Sequence, residues 1–274
     1  MPTYADTALY WNNARPILSV NFPTTVSFPT RAGVNPGGPG FTGGPNVARI
    51  VGADLTWECI NSCTTRVYLR LYRECTGSSG SNNNVTFQPT APGCFAPNPL
   101  GTWSTQAITE VTPICPSAPT QCTTPMSTIN GIQEYLWFQD YDICGLGTNC
   151  TYDVTWGNCC RNLNITSGAA NNRLEIINHM DVSLGCNNSP QFTNYPLFLA
   201  CQGTPYTIHQ GAYDPDGDSL AFALAACMTM NAAPVTYGTG YSATAPLGTS
   251  WNVNFDPVTG MMELLPNPGN LLVG

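Results

Sequence analysis

The chain has 274 residues, and only 9% of them are charged, against roughly 25% in an ordinary soluble domain. Its eight basic residues are all arginine, and sixteen acidic residues bring the net charge to −8. Nothing here can form the basic stripe that binds nucleic acid or the polybasic patch that holds a membrane surface. The 42% hydrophobic content excludes a disordered acidic tail.

Residues 1–45 read as an extended Pro/Gly-rich arm. Pro2, Pro16, Pro23, Pro29, Pro36, Pro39 and Pro45 recur too often for a helix, and the arm ends in the loop GVNPGGPGFTGGP. Its Tyr10, Trp11, Val20, Phe22, Val26 and Phe28 argue for a segment that packs on its own domain or on a neighbouring subunit. From residue 46 the apolar period becomes two. Leu55, Trp57 and Cys59 alternate with Asp54, Thr56 and Glu58, and Val67, Leu69 and Leu71 alternate with Arg66, Tyr68, Arg70 and Tyr72. Tyr152, Val154 and Trp156 repeat the pattern, as do Trp251, Val253 and Phe255. These segments predict half-buried strands with one wet face. Leu220–Ala233 has helical propensity but is read as strand. The fold class expected is all-β: a Cys-rich β-sandwich over 46–188, then a cadherin-like or Ig-like β-sandwich over 189–274. Asn187-Asn188-Ser189-Pro190 marks the boundary, as a linker or first turn.

Thirteen cysteines without a CxxC pair, beside two histidines outside any ligand-spaced cluster, favour disulfides over zinc. Short spacing suggests the pairs Cys115–Cys122, Cys144–Cys150 and Cys201–Cys227, although spacing does not fix connectivity. Met1–Asp6 shows neither the basic nor the apolar part of an export signal. Either a signal has been removed, or the chain is a piece of a longer protein.

Three stretches in collinear order carry a resemblance. They are the strand ending Leu71-Tyr72-Arg73-Glu74-Cys75; Thr109–Pro116 (TEVTPICP) with Gly131–Tyr135 and Trp156–Asn162; and CNNSPQFTN from Cys186, continuing through DPDGDSL and Val235–Gly238 to Asp256–Gly260. Residues 50–274 resemble the large secreted surface proteins of Bacteroidota that carry PKD or cadherin-like repeats and a gliding-motility-associated C-terminal domain. The resemblance implies export by type IX secretion and display on the cell surface as a multidomain, fibrous or adhesive product. It also implies that the second sandwich lacks its last strand, since the chain stops at Gly274 without a sorting domain.

Asp214, Asp216 and Asp218 place three carboxylates in five residues, a hard-oxygen set suited to Ca²⁺. Position six of the loop is Ser219 and position twelve is Ala225, so it is not an EF-hand. The cadherin-like resemblance adds Asp256 as a further ligand. A solvated Asp/Gly turn is the simpler alternative. No other cofactor is expected. His179 and His209 have no nucleophile or zinc motif beside them, so no catalytic residue is expected and the chain is read as non-enzymatic. Tyr68 and Tyr72, placed on the wet face, could stack on sugars or support the sheet. Asn84, Asn149, Asn164 and Asn187 fit N-x-[ST] and hint at surface positions. The leading expectation is a structural or adhesive module of an extracellular bacterial surface protein or fibre. It would associate with itself or with neighbouring domains of a longer chain; the alternative is a module that binds glycans or another surface ligand.

Overall fold

The computed structural model describes residues 49–265 together with 8–11 and 18–19 of the arm; 78–83, 115–117, 147–149, 162–164, 166, 169–171, 184, 197–203, 210, 246–247 and 249–251 fall outside the described residues. Strands β1 (Ala8–Trp11) and β2 (Leu18–Ser19) come from the arm. Then follow β3 (Ile50–Asn61), β4 (Thr64–Glu74), β5 (Thr86–Pro89), β6 (Asn98–Glu110), β7 (Ile132–Asp142), β8 (Thr151–Asn158) and β9 (Leu174–Asp181). The later chain gives β10 (Gln191–Phe192), β11 (Tyr206–Ile208), β12 (Ala212–Tyr213), β13 (Leu220–Phe222), β14 (Met228–Thr229), β15 (Ala233–Pro234), β16 (Asn252–Phe255) and β17 (Met262–Leu265). No α-helix occurs among the described residues, and the protein is all-β.

The alternating segments form the strands expected of them. A four-stranded antiparallel sheet in the order β3-β4-β7-β6 faces a sheet in the order β15-β14-β9-β8-β5. Leu55, Trp57, Val67, Leu69 and Leu71 from one sheet meet Tyr152, Val154, Trp156, Leu174 and Ile176 from the other in one buried core. Period two puts every second side chain into that core, so burial of these residues fixes the strand register. Four large apolar side chains, each removing about 1.5–3 kcal/mol worth of surface from water, would already offset a large part of one strand's ordering cost.

The wet face is less wet than the alternation implies. On β3 the alternate residues Asp54 and Thr56 are buried as well, and on β4 so is Tyr72. The placement of Tyr72 on an open, sugar-stacking face is thereby corrected. Tyr195 stands edge-on to its ring, centroids 6.3 Å apart, because the chain beyond Ser189 passes over this side of the sheet. The boundary at 188 separates two stretches of sequence but not two sheets. The β14–β15 hairpin returns from the later chain and joins β9 through Met228 and Glu175. Leu220–Ala233 is therefore two short strands and a 3₁₀ turn, with Asn231 at φ 62° breaking any helix. Of the arm, Ala8–Trp11 pairs antiparallel with Leu220–Phe222, and Leu18–Ser19 pairs with Ala8–Leu9. Val20, Phe22, Val26 and Phe28 lie outside the described residues.

Among the described residues, five disulfides join Cys59–Cys186, Cys63–Cys144, Cys75–Cys122, Cys94–Cys150 and Cys159–Cys160. The expected pairs Cys115–Cys122 and Cys144–Cys150 give way to these. Strand pairing, not sequence spacing, chooses the partners. The β3–β4 turn lies beside the end of β7, since Thr64 opposes Asp142, and that apposition brings Cys63 to Cys144. Cys75 donates its N–H to Gly131, beside which Cys122 lies. A Cβ on Gly131 would overlap Cys122 Sγ, so this bridge needs glycine there. Cys227 has no disulfide, and Cys201 and Cys115 lie outside the described residues. Bridges of this number and reach place the chain in an oxidising compartment.

Candidate functional site

The residues singled out in the acidic turn come together with the disulfide framework at one place, the junction Asn187-Asn188-Ser189. Cys186 is bonded to Cys59 near the end of β3, and the chain then runs back along the outer edge of that strand. Ser189 N–H donates to Trp57 O at 3.0 Å, and Trp57 N–H donates to Ser189 Oγ at 2.8 Å. Trp57 Nε1–H donates to Asn187 O, and Cys59 N–H donates to Asn188 Oδ1. The segment therefore acts as a short extra strand on β3, satisfying edge donors that would otherwise be bare. A neighbouring contact ties β9 to the same strand, from Asn178 Nδ2 to Leu55 O. Asn187, read from its sequon as a surface position, is half-buried here.

Asn188 has a second partner. Its backbone N–H and its Nδ2 both donate to the Asp216 carboxylate, each at 2.8 Å. The acidic turn is thus fastened to the junction, and through Asn188 Oδ1 to β3. Asp214 Oδ1 accepts the N–H groups of Asp216 and Asp218, closing the turn that Gly217 completes at φ +83°. Burial is the main reason the Asp214 carboxyl sits above the usual carboxylate range. Asp256 caps a different turn: Oδ1 accepts from Val258 N–H and Oδ2 from Thr259 Oγ1. The Val258 N–H, with the Thr259 hydroxyl, holds Asp256 below the usual range.

Most of these carboxylate oxygens already have partners, but Asp214 Oδ2 is buried without one. Both oxygens of Asp216 are given to Asn188, Asp214 Oδ1 is given to its own turn, and both oxygens of Asp256 to another. Among the described residues no three His, Cys, Asp or Glu side chains converge as metal ligands. The arrangement matches the alternative of an Asx-type turn.

The histidines are separate from each other. His179 Nδ1 lies 2.5 Å from Asp153 Oδ1 across the β8–β9 ladder, and His209 Nδ1 accepts the Gly211 N–H. On the outer side of β4, Arg66 makes a two-pronged contact with Asp140 at 2.6 and 2.9 Å and stacks over Phe138. Tyr68 donates to Glu58, so neither ring of the Tyr68–Phe138 pair offers a bare face with a free hydroxyl. Further along, Arg70 lies 3.6 Å from Asp54 and 3.7 Å from Glu134. Burial outweighs Arg70 and pushes the Asp54 carboxyl up to about 6. Burial, then Asp54 and Glu134, push the Tyr72 hydroxyl well above its ordinary range.

No protein family, no curated protein and no solved structure matches the chain. Asn188 and Ser189, the residues that build the junction, were legible only as a turn. Their partners on β3 are more than a hundred positions away in sequence, Ser189 pairing with Trp57 across 132 positions.

Proposed function

We propose that this chain is a non-enzymatic, tension-bearing structural or adhesive module of an extracellular surface protein or fibre. The observation that supports it is the Cys59–Cys186 bond with the hydrogen bonds laced beside it. Tension applied between the start of β3 and the chain beyond Ser189 passes along β3, through the disulfide and out again. It first peels Asn187–Ser189 from the β3 edge and then meets a covalent stop. The loop closed by this bond, with a sequence separation of 127, never enters the line of force. With Cys63–Cys144 bypassing 81 of those positions, the rest fully stretched would add about 150 Å of chain. An extracellular, surface location is supported by the disulfides and by the resemblance to secreted Bacteroidota surface proteins. The aromatic face gives the glycan-binding alternative less support, since Arg66 covers Phe138 and Glu58 takes the Tyr68 hydroxyl.

Pulling single molecules between residues 49 and 190 tests this reading. The oxidised chain should lengthen only slightly before the bond stops it. The Cys59→Ser/Cys186→Ser chain should show an added extension of about 150 Å, because Cys63–Cys144 still bypasses 81 of the 127 positions. Equal extension in both would refute the proposal.

A further inference from the structure

Strand β6 is the longest in the protein and has one neighbour. It closes the β3-β4-β7-β6 sheet, pairs only with β7, and is exposed at eleven of its thirteen positions. An edge of this length presents a row of N–H and C=O groups to any strand that can lie beside it. Native monomers commonly blunt such edges with lysine, and this chain has none. From Asn98 to Thr109 the strand carries no charge, and Glu110 at its end is engaged by the Thr112 and Thr120 hydroxyls. Leu100 and Ile108 are about half exposed, at 49% and 54%, and Phe95 just ahead of the strand is 69% exposed. Pro99 and two bulges, between Leu100 and Ser104 and between Thr105 and Ala107, shape the strand without covering it.

We infer that β6 is a homotypic docking edge, at which two copies of this chain pair β6 with β6 in antiparallel register and merge their four-stranded sheets. Length selects the partner. The other edge strands among the described residues have only two to four residues, as in β5, β15, β16 and β11. The twelve-residue β3 already has its outer edge laced by Asn188 and Ser189. Only the β6 of another copy matches thirteen residues along their length. Charge agrees with this. Two chains of net charge −8 repel over most of their surface, and β6 is a long uncharged strip where that repulsion is least. A two-fold axis makes the pairing antiparallel and closed, so it yields a dimer and no longer polymer. The inference goes beyond the tension-bearing reading and does not depend on it.

The test uses the whole oxidised chain and its Thr102→Lys/Gln106→Lys variant. Both positions lack a β7 partner, so the substitutions leave the existing ladder intact. Light scattering after size exclusion should show wild type moving from one to two chain masses as concentration rises. The variant should dimerise at least tenfold more weakly at an unchanged melting temperature. Its net charge is smaller in magnitude, so a general electrostatic association would strengthen instead. Amide exchange provides a second readout on wild type alone, with the β6 amides that point away from β7 gaining protection only at the dimer-forming concentration. Four results would overturn the proposal: wild type monomeric throughout, a variant that dimerises as well as wild type, growth into longer polymers, or outward-facing β6 amides already protected in the monomer.

Discussion

The two halves of the chain are built on different principles. The first relies on strands of eight to thirteen residues, with β5 the short exception, and on a nineteen-residue buried cluster crossed by long-range disulfides. The second has strands of two to four residues, a buried cluster of only Ile208, Met262 and Leu264, and no disulfide among the described residues. Short strands bury little apolar surface per ordered residue, so such a region draws on contacts with its neighbour. Those contacts are partly polar, from Asn188 to Asp216, Arg161 to Met228 O, and Ala232 to Glu175, and partly apolar, with Tyr195 against Tyr72 and Val235 against Ile165. The first half is a frame, and the second is fastened to it.

The largest expected effect removes the frame's longest tie. Cys59→Ser/Cys186→Ser should cost about 4 kcal/mol by the chain-entropy estimate, since Cys63–Cys144 shortens the 127-position loop by 81. Denaturant melts followed by tryptophan fluorescence would check it. A loss below about 1 kcal/mol would mean that the laced edge alone holds the junction.

Next comes pH. Asp54 keeps its proton up to about 6 in the folded chain and gives it up near 3.8 when unfolded. Between those values the folded state holds more protons, so this group's contribution to stability falls as pH rises through the window and is constant above it. The change is on the order of 3 kcal/mol. Melting temperatures of wild type and Asp54→Asn from pH 3.5 to 8 should diverge through the window and then run parallel. Curves parallel throughout would contradict the burial argument.

A smaller change separates the halves. Asn188→Ala removes the side-chain bonds to Cys59 and Asp216 and should cost about 1–3 kcal/mol. Amide exchange should show the loss concentrated beyond residue 190, with β4 and β7 unaffected; uniform loss would argue against a fastened second half. The smallest effect concerns calcium. Because both Asp216 oxygens and Asp214 Oδ1 are already engaged, millimolar calcium or chelator should change stability by less than about 0.5 kcal/mol. A clear calcium-dependent rise that Asp216→Ala abolishes would restore the metal reading.

Strands β3, β4 and β8 were legible because a two-sided sheet forces alternation, and Val67, Tyr152 and Trp156 show it directly. Strand β6 was not legible. An exposed edge puts no core demand on its side chains, so NPLGTWSTQAITE has no clear period. The burial of Asp54 and Tyr72 was hidden for the opposite reason. They follow the pattern of a wet face, and what covers them comes from distant chain, Tyr195 among it. Disulfide partners were unreadable because strand pairing sets them: Cys63 meets Cys144 across β4 and β7, not its nearest neighbours in sequence. The acidic turn shows the limit of composition. Three aspartates in five residues suggest a cation, and composition does not show that Asn188 takes both oxygens of Asp216 and the turn's own amides take Asp214 Oδ1.

The nested bridges also govern what a protease can achieve. The loop between β5 and β6, around Ala91–Gly93, is a natural place for a cut. Severing it would leave the two pieces joined by Cys59–Cys186, Cys63–Cys144 and Cys75–Cys122. Enzymes that cut after basic residues meet no lysine, and Arg73 and Arg161 are buried. A nicked copy would therefore stay in one covalent piece.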